Sequence, residues 1–164
     1  HGDSHLFEML TLEGAQAGLS WSIILHKRSG YRRAFEAFDL TAIATYGGSD
    51  VKKLMADGGI VRNRAKILSV IHNAGRALGI QQTYGSLDAY LWGFAPSVRA
   101  SVLGIDGSPD TTPESDAMST ALKRDGWKFV GSKTCYSFMQ ASGMVDDHDS
   151  SCFRARHDRS IWPE

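Results

Sequence analysis

Glu13 is the side chain that fits an ordinary helical surface least well. It follows Met9 by four residues and Leu10 by three, so an α-helix sets its carboxylate on the apolar stripe. A carboxylate there must find a partner or take up a proton, because an unpaired buried charge is costly. Gly14, Gly18, Leu19 and Trp21 follow closely. Glycine at both positions lets a second backbone or a ligand come near. One chemistry open to this set is capture of a flat cation between an anionic floor and an aromatic wall. The other reading ends the helix at Gly14 and leaves Glu13 hydrogen-bonded to surface amides. Spacing alone decides between them in neither direction.

A second cluster spans residues 51–78, which read as helix, two glycines, apolar pair, basic cluster, helix. In the run Gly58-Gly59-Ile60-Val61-Arg62-Asn63-Arg64-Ala65-Lys66 the glycines permit a tight turn. The amides that open the second helix are then available to an anion, and Arg62, Arg64 and Lys66 bring charge for phosphates. Such an arrangement grips a nucleic-acid backbone without reading bases. A plain helical hairpin with exposed basic residues has the same pattern. His148 and Cys152 are four apart, within the range of zinc ligand pairs, but two ligands do not close a tetrahedral site. His1, His5 and His157 are unconvincing partners for them. Cys135 falls on an apolar helix face and reads as buried filler rather than a nucleophile.

The elements that must position these groups are helices throughout. Asp3 or Ser4 is expected to cap a helix with the stripe Leu6, Met9, Leu10 and Ala17. A second stripe, Trp21, Ile24, Leu25 and Arg28, runs to an expected break at Gly30, and Tyr31, Ala34, Phe35 and Phe38 continue the rhythm. Ser49 or Asp50 starts the helix that stops at Gly58-Gly59, and the next begins around Arg62 to Ala65 and carries Ile67, Val70, Ile71, Ala74 and Leu78. Ser86 or one of its neighbours is expected to cap a short helix through Tyr90, Leu91 and Trp92, and residues 104–110 read as loop. Thr112-Pro113-Glu114 combines a capping side chain, a first-turn proline and an acid near the positive dipole end. A last helix near Lys133 to Ser142 closes at Gly143. Period-two strands are absent, with Trp127 to Val130 at most a short extended link. The expected fold class is all-α, a single helical domain.

Length and composition agree with one domain. The chain has 164 residues, 42% of them hydrophobic, enough for one well-buried core and too few for two full domains. No apolar run reaches the roughly 18 to 20 residues of a membrane span, and no signal-peptide pattern is present. Two cysteines are too few for a disulfide framework, so reduced thiols are expected. A net charge of zero conceals an asymmetry. Residues 27–76 hold ten basic side chains and four acidic ones, whereas residues 106–149 hold eight acidic and four basic. That segregation fits a polyanion contact confined to one face, and it also fits a solvated helical surface.

Several runs resemble the DNA-3-methyladenine glycosylase I family, part of the helix-hairpin-helix DNA glycosylase superfamily. They are Leu6-Phe7-Glu8-Met9 through Leu12-Glu13-Gly14-Ala15-Gln16-Ala17-Gly18-Leu19-Ser20-Trp21, then Gly59 to Ile67 and Ser115-Asp116-Ala117. Lys128-Phe129-Val130-Gly131, Cys135 to Gly143 and Asp147-His148 complete the likeness, which covers nearly all the chain to about Cys152. The resemblance implies a monofunctional enzyme that flips 3-methyladenine out of double-stranded DNA and hydrolyses its N-glycosidic bond without lyase activity. Glu13 would be the catalytic and base-binding acid, Trp21 the stacking aromatic, and Ser137 a pocket neighbour. Gly18 and Leu19 would probe the gap left by the flipped nucleotide, while Gly59, Arg62, Arg64 and Lys66 hold the DNA. His148 and Cys152 would be two of four ligands of a structural zinc, the other two coming from an N-terminal family segment expected before His1. No organic cofactor is implied. Free 3-methyladenine would be the product ligand, and a cytoplasmic bacterial monomer without membrane contact the expected form. Residues 1–152 would form the glycosylase domain and 153–164 a C-terminal tail. A non-catalytic helix-hairpin-helix module that binds DNA, and a zinc-stabilised helical interaction domain, are the competing readings.

Overall fold

The apolar stripes become eight α-helices in the computed structural model, which describes residues 2–97 and 109–148. In chain order these are α1 (Asp3–Gln16), α2 (Trp21–Ala34), α3 (Leu40–Ala44), α4 (Gly48–Ala56), α5 (Arg64–Tyr84), α6 (Leu87–Trp92), α7 (Pro113–Arg124) and α8 (Ser132–Ser142). The described residues contain no strand, and the all-α expectation holds. The expected boundary at Cys152, the tail after it and most of the 104–110 loop lie outside the described residues.

α1 is the axis of the molecule. It packs against α2, α5, α6 and α8, and from Leu6 to Ala15 every residue except Met9 is buried. A helix enclosed on so many sides cannot keep a clean polar face, which is why Glu8, Thr11 and Glu13 lie inside with the leucines. α5, the longest helix at 21 residues, runs across α1 and also contacts α3, α4 and α6. α7 and α8 pack against each other, and α8 also packs against α1.

Two capping expectations hold. Ser86 accepts the Ala89 amide at 2.9 Å, and Thr112 and Ser115 cap α7 reciprocally ahead of Pro113. Gly143 ends α8 in the left-handed conformation with φ +77°. Asp3 behaves differently from expectation. Its carboxylate leaves its own helix and accepts the Leu87 and Asp88 amides at 2.9 and 3.1 Å, capping α6 some 84 residues away. The break expected at Gly30 is also absent, since α2 continues through it to Ala34. Gly30 is there for a contact between α2 and the turn that joins α4 to α5: a Cβ on it would sit 2.1 Å from the Gly59 carbonyl oxygen. Between α2 and α3, a left-handed 3-10 turn at Glu36–Phe38 puts all three residues at φ between +48° and +63°. That conformation costs roughly 1–2 kcal/mol per residue, and it delivers Phe38 fully buried against Phe7 and Phe35.

Candidate active site

The last turn of α1 carries Glu13 into the interior, with 6% of its surface exposed. Among the described residues no hydrogen bond or ion pair reaches its carboxylate. Burial alone therefore pushes its pKa up, from 4.5 to about 7. This differs in kind from Glu8, one and a half turns earlier and equally buried. Arg32 donates to Glu8 from Nε and Nη2 at 2.7 and 2.9 Å, and Arg28 from Nε at 2.7 Å. Burial raises the pKa of Glu8, but these donors and their charges outweigh it and hold the carboxyl below the usual range. One acid is neutralised within the protein; the other is left unanswered.

The chain leaves α1 at Ala17 and crosses to α2 through Gly18, Leu19 and Ser20, all exposed. Gly18 takes φ +76°, which a side chain rarely adopts, and this reversal allows the Leu19 amide to donate back to Gln16 at 2.6 Å. Leu19 stays 37% exposed at the tip of the turn. Trp21 then opens α2, half-buried against the core. Ser137 sits half-buried on α8. Glu13, Trp21 and Ser137 thus stand on α1, α2 and α8, and α1 packs against both of the others. A nearby enclosed hollow of about 20 Å³, lined in part by Gly14, Lys66, Asn73 and Phe129, has room for a single water and no purine. Neither Glu13 nor Trp21 lines it.

The basic hairpin between α4 and α5 is present, with a division of labour the pattern did not show. Arg62 and Arg64 are exposed, Asn63 caps α5 by accepting the Lys66 amide, and the Arg64 and Ala65 amides open the helix without an intrahelical acceptor. Gly59 and Lys66 are placed otherwise than expected. The Gly59 amide donates to Asp57 Oδ1 at 2.6 Å, and its carbonyl packs on Gly30. Lys66 is buried, with Nζ donating at 2.7 Å to the carbonyls of both Ala15 and Ala17. Burial lowers its pKa. Its charge answers the C-terminal end of α1 instead of facing solvent.

The segment expected as an extended link proves to be a second hairpin between α7 and α8. Gly126 turns it at φ +88°, Val130 anchors it in the core as Ile60 does the first, and exposed Lys128 and Phe129 form its tip. The Asn73 amide side chain clamps the Lys128 backbone with two 2.9 Å bonds, and His72 Nε2 meets the Gly126 carbonyl at 2.8 Å. The tip reaches α1 at Gly14, where a Cβ would come within 3.1 Å of the Phe129 carbonyl oxygen. Gly14 is therefore the entry point of a second backbone beside Glu13. The adjacent pair His72-Asn73 and the i, i+4 pair Arg28/Arg32 were the only traces of these ties in the sequence.

Residues 1–155 match the model of one protein family, described as methyladenine glycosylase. The chain belongs to the methyladenine glycosylase family. It is accordingly an enzyme, a glycosylase that acts on an N-glycosyl bond. The chain is 45% identical over 150 residues to DNA-3-methyladenine glycosylase 1 of Escherichia coli (strain K12), covering 90% of this chain and 80% of that one. A crystal structure of 3-methyladenine DNA glycosylase I superposes with a TM-score of 0.87 at 44% identity, covering 94% and 86% of the two chains. The Staphylococcus aureus glycosylase I structure concerned with 3-methyladenine recognition gives a TM-score of 0.90 at 31% identity, covering 96% and 86%.

Other features sort themselves within this glycosylase frame. Cys135 is buried, and burial pushes its thiol up to about 12, unsuited to a nucleophile. The expected zinc finds no support. Among the described residues no group of three or more His, Cys, Asp or Glu side chains could hold a metal. His148 is exposed at the end of the described residues, and Cys152 lies outside them. No described helix is long and apolar enough to cross a membrane.

Proposed function

We propose that this glycosylase releases 3-methyladenine from alkylated double-stranded DNA, acting as a monomer on a nucleotide turned out of the helix. The observation that carries the reading is Glu13: an acid sunk in the interior with no partner of its own among the described residues, on a helix packed against the one that Trp21 opens. An unanswered buried carboxylate gains free energy when a cation is placed against it, and loses by burial beside a neutral base. Adenine methylated at N3 of its nucleotide carries that positive charge. The relatives named for this base and this activity lend the same support.

The chemistry then asks little of the protein. The C1′–N9 bond breaks with its electron pair passing to the purine, which leaves neutral. Water oxygen bonds to C1′, and one proton goes to solvent. The leaving group needs no protonation, so Glu13 acts by holding positive charge through a charge-assisted hydrogen bond, with Trp21 stacked on the ring and Ser137 at the pocket edge. Discrimination against undamaged adenine follows from the same group, since the neutral base leaves the carboxylate unanswered. Turning the base out costs a few kcal/mol, least for a damaged nucleotide. Leu19, on the Gly18 turn, is placed to fill the vacated gap, while Arg62, Arg64 and the amides of Arg64 and Ala65 hold phosphates. Lyase chemistry would need a free amine. Lys66, engaged with two carbonyls, is not available as that amine.

The direct test is to incubate the protein with methylated duplex DNA and identify the bases released. Release of 3-methyladenine with the strand left uncut is expected. Binding without release would favour a non-catalytic module.

A further inference from the structure

The α1–α2 connection is exposed along its whole length, yet under the proposed function it must enter a DNA duplex without folding back. Its own hydrogen bonds are few, at Ala17 to Gly14 (3.4 Å) and Leu19 to Gln16 (2.6 Å). The support comes from below. Lys66 reaches up from the first turn of α5 and holds Ala15 and Ala17, the carbonyls on either side of the point where α1 ends. These are orphan acceptors at the negative end of the α1 dipole, where an ammonium is most strongly held.

The same hairpin grips the other side of the loop. Lys27 of α2 donates to the Gly58 carbonyl at 2.6 Å, and the backbones of Gly30 and Gly59 are in direct contact. The turn bearing Leu19 is thus tied through α1 and through α2 to one short segment, Gly58 to Lys66. That segment also presents Arg62 and Arg64.

We infer that Lys66 is a positioning residue for base extrusion: it fixes the Gly18–Leu19 turn in register with the phosphate-holding hairpin and itself touches no phosphate. The inference rests on the proposed function, in which Leu19 enters the duplex. Misplacing such a probe by about 1 Å can cost up to roughly 100-fold in rate. A lysine that merely stabilised the fold would lower all activities together, and one that bound phosphate would change the salt dependence.

The test uses the full chain and three measurements on Lys66→Met and Lys66→Arg. In K66M, single-turnover excision from a duplex with one 3-methyladenine should fall roughly 10- to 100-fold. Its affinity for free 3-methyladenine should stay within about twofold of wild type, and the salt slope of binding to undamaged duplex should not change. K66R, which keeps the charge and most of the reach, should recover most of the rate. A slope reduced by about one would make Lys66 a phosphate ligand and overturn the inference. So would a parallel loss of free-base affinity, or an unchanged rate. If K66M does not fold, K66Q, which keeps an N–H donor group without the charge, carries the same comparison. Failure of the wild-type protein to release 3-methyladenine would instead sink the proposed function and is read separately.

Discussion

At the scale of single residues, Glu13 makes a prediction whose sign can be worked out. Its pKa is about 7 in the folded protein against 4.5 ordinarily, so folding favours the protonated form. The stability this gives is full below pH 4.5 and is lost as pH rises to 7, amounting to about 3 kcal/mol at most. Glu13→Gln removes that dependence. Urea unfolding of both proteins at pH 5 and pH 8 should show the variant gaining on wild type at the higher pH. Catalysis runs the opposite way, because the ionised form receives the cation. For wild type, kcat/KM on methylated DNA should rise with pH through about 7, the pKa of the free enzyme. In Glu13→Gln that rise should vanish, with excision lowered roughly 10- to 100-fold, the worth of one charge-assisted hydrogen bond. Binding to undamaged DNA should be unaffected. Trp21→Ala should weaken binding of free 3-methyladenine by about tenfold, measurable by calorimetry, as the loss of one aromatic stacking contact with the neutral base implies.

At the scale of elements, two of the ties between a helix and a hairpin turn are made where a glycine lets a second backbone come close. Gly30→Ala is the sharpest test, since its Cβ would collide with the Gly59 carbonyl at 2.1 Å and neither backbone can yield cheaply. A loss of about 3 kcal/mol or more in urea unfolding is expected. Gly14→Ala meets the Phe129 backbone at 3.1 Å and should be milder. A Gly14→Ala protein as damaged as Gly30→Ala would mean that the second hairpin cannot shift at all. These contacts explain why the periodicity of α2 misled. Gly30 resembles a helix end when only its neighbours are considered, and becomes a crossing point once residue 59 is placed against it.

At the scale of the whole molecule, five of the ten basic side chains of residues 27–76 are engaged by groups of the protein itself. Arg28 and Arg32 answer Glu8, Lys27 and Lys66 bind carbonyls, and Lys53 pairs with Asp50. Arg62 and Arg64 remain exposed at the hairpin. If they hold two phosphates, Arg62→Ala with Arg64→Ala should reduce the slope of log affinity against log salt by roughly 1.8. An undiminished slope would move the DNA contact elsewhere, and the exposed tip of the α7–α8 hairpin is the next place to look.

The amino-acid sequence by itself determined the helical class, most helix positions, the caps at Ser86 and Thr112, the burial of Glu13 as one of two open readings, and the family resemblance. All of these depend on neighbours within about four residues or on runs of motif. Tertiary structure decided which polar groups are answered inside the protein. Glu8 and Glu13 lie on one helix and are equally buried, but only Glu8 faces two arginines of α2. Lys66 stands among exposed arginines in the chain, yet its ammonium meets carbonyls about 50 residues earlier. Burial and partnership are properties of contacts between distant segments, and local spacing, as in the Arg28/Arg32 pair, does not say which distant group is the partner.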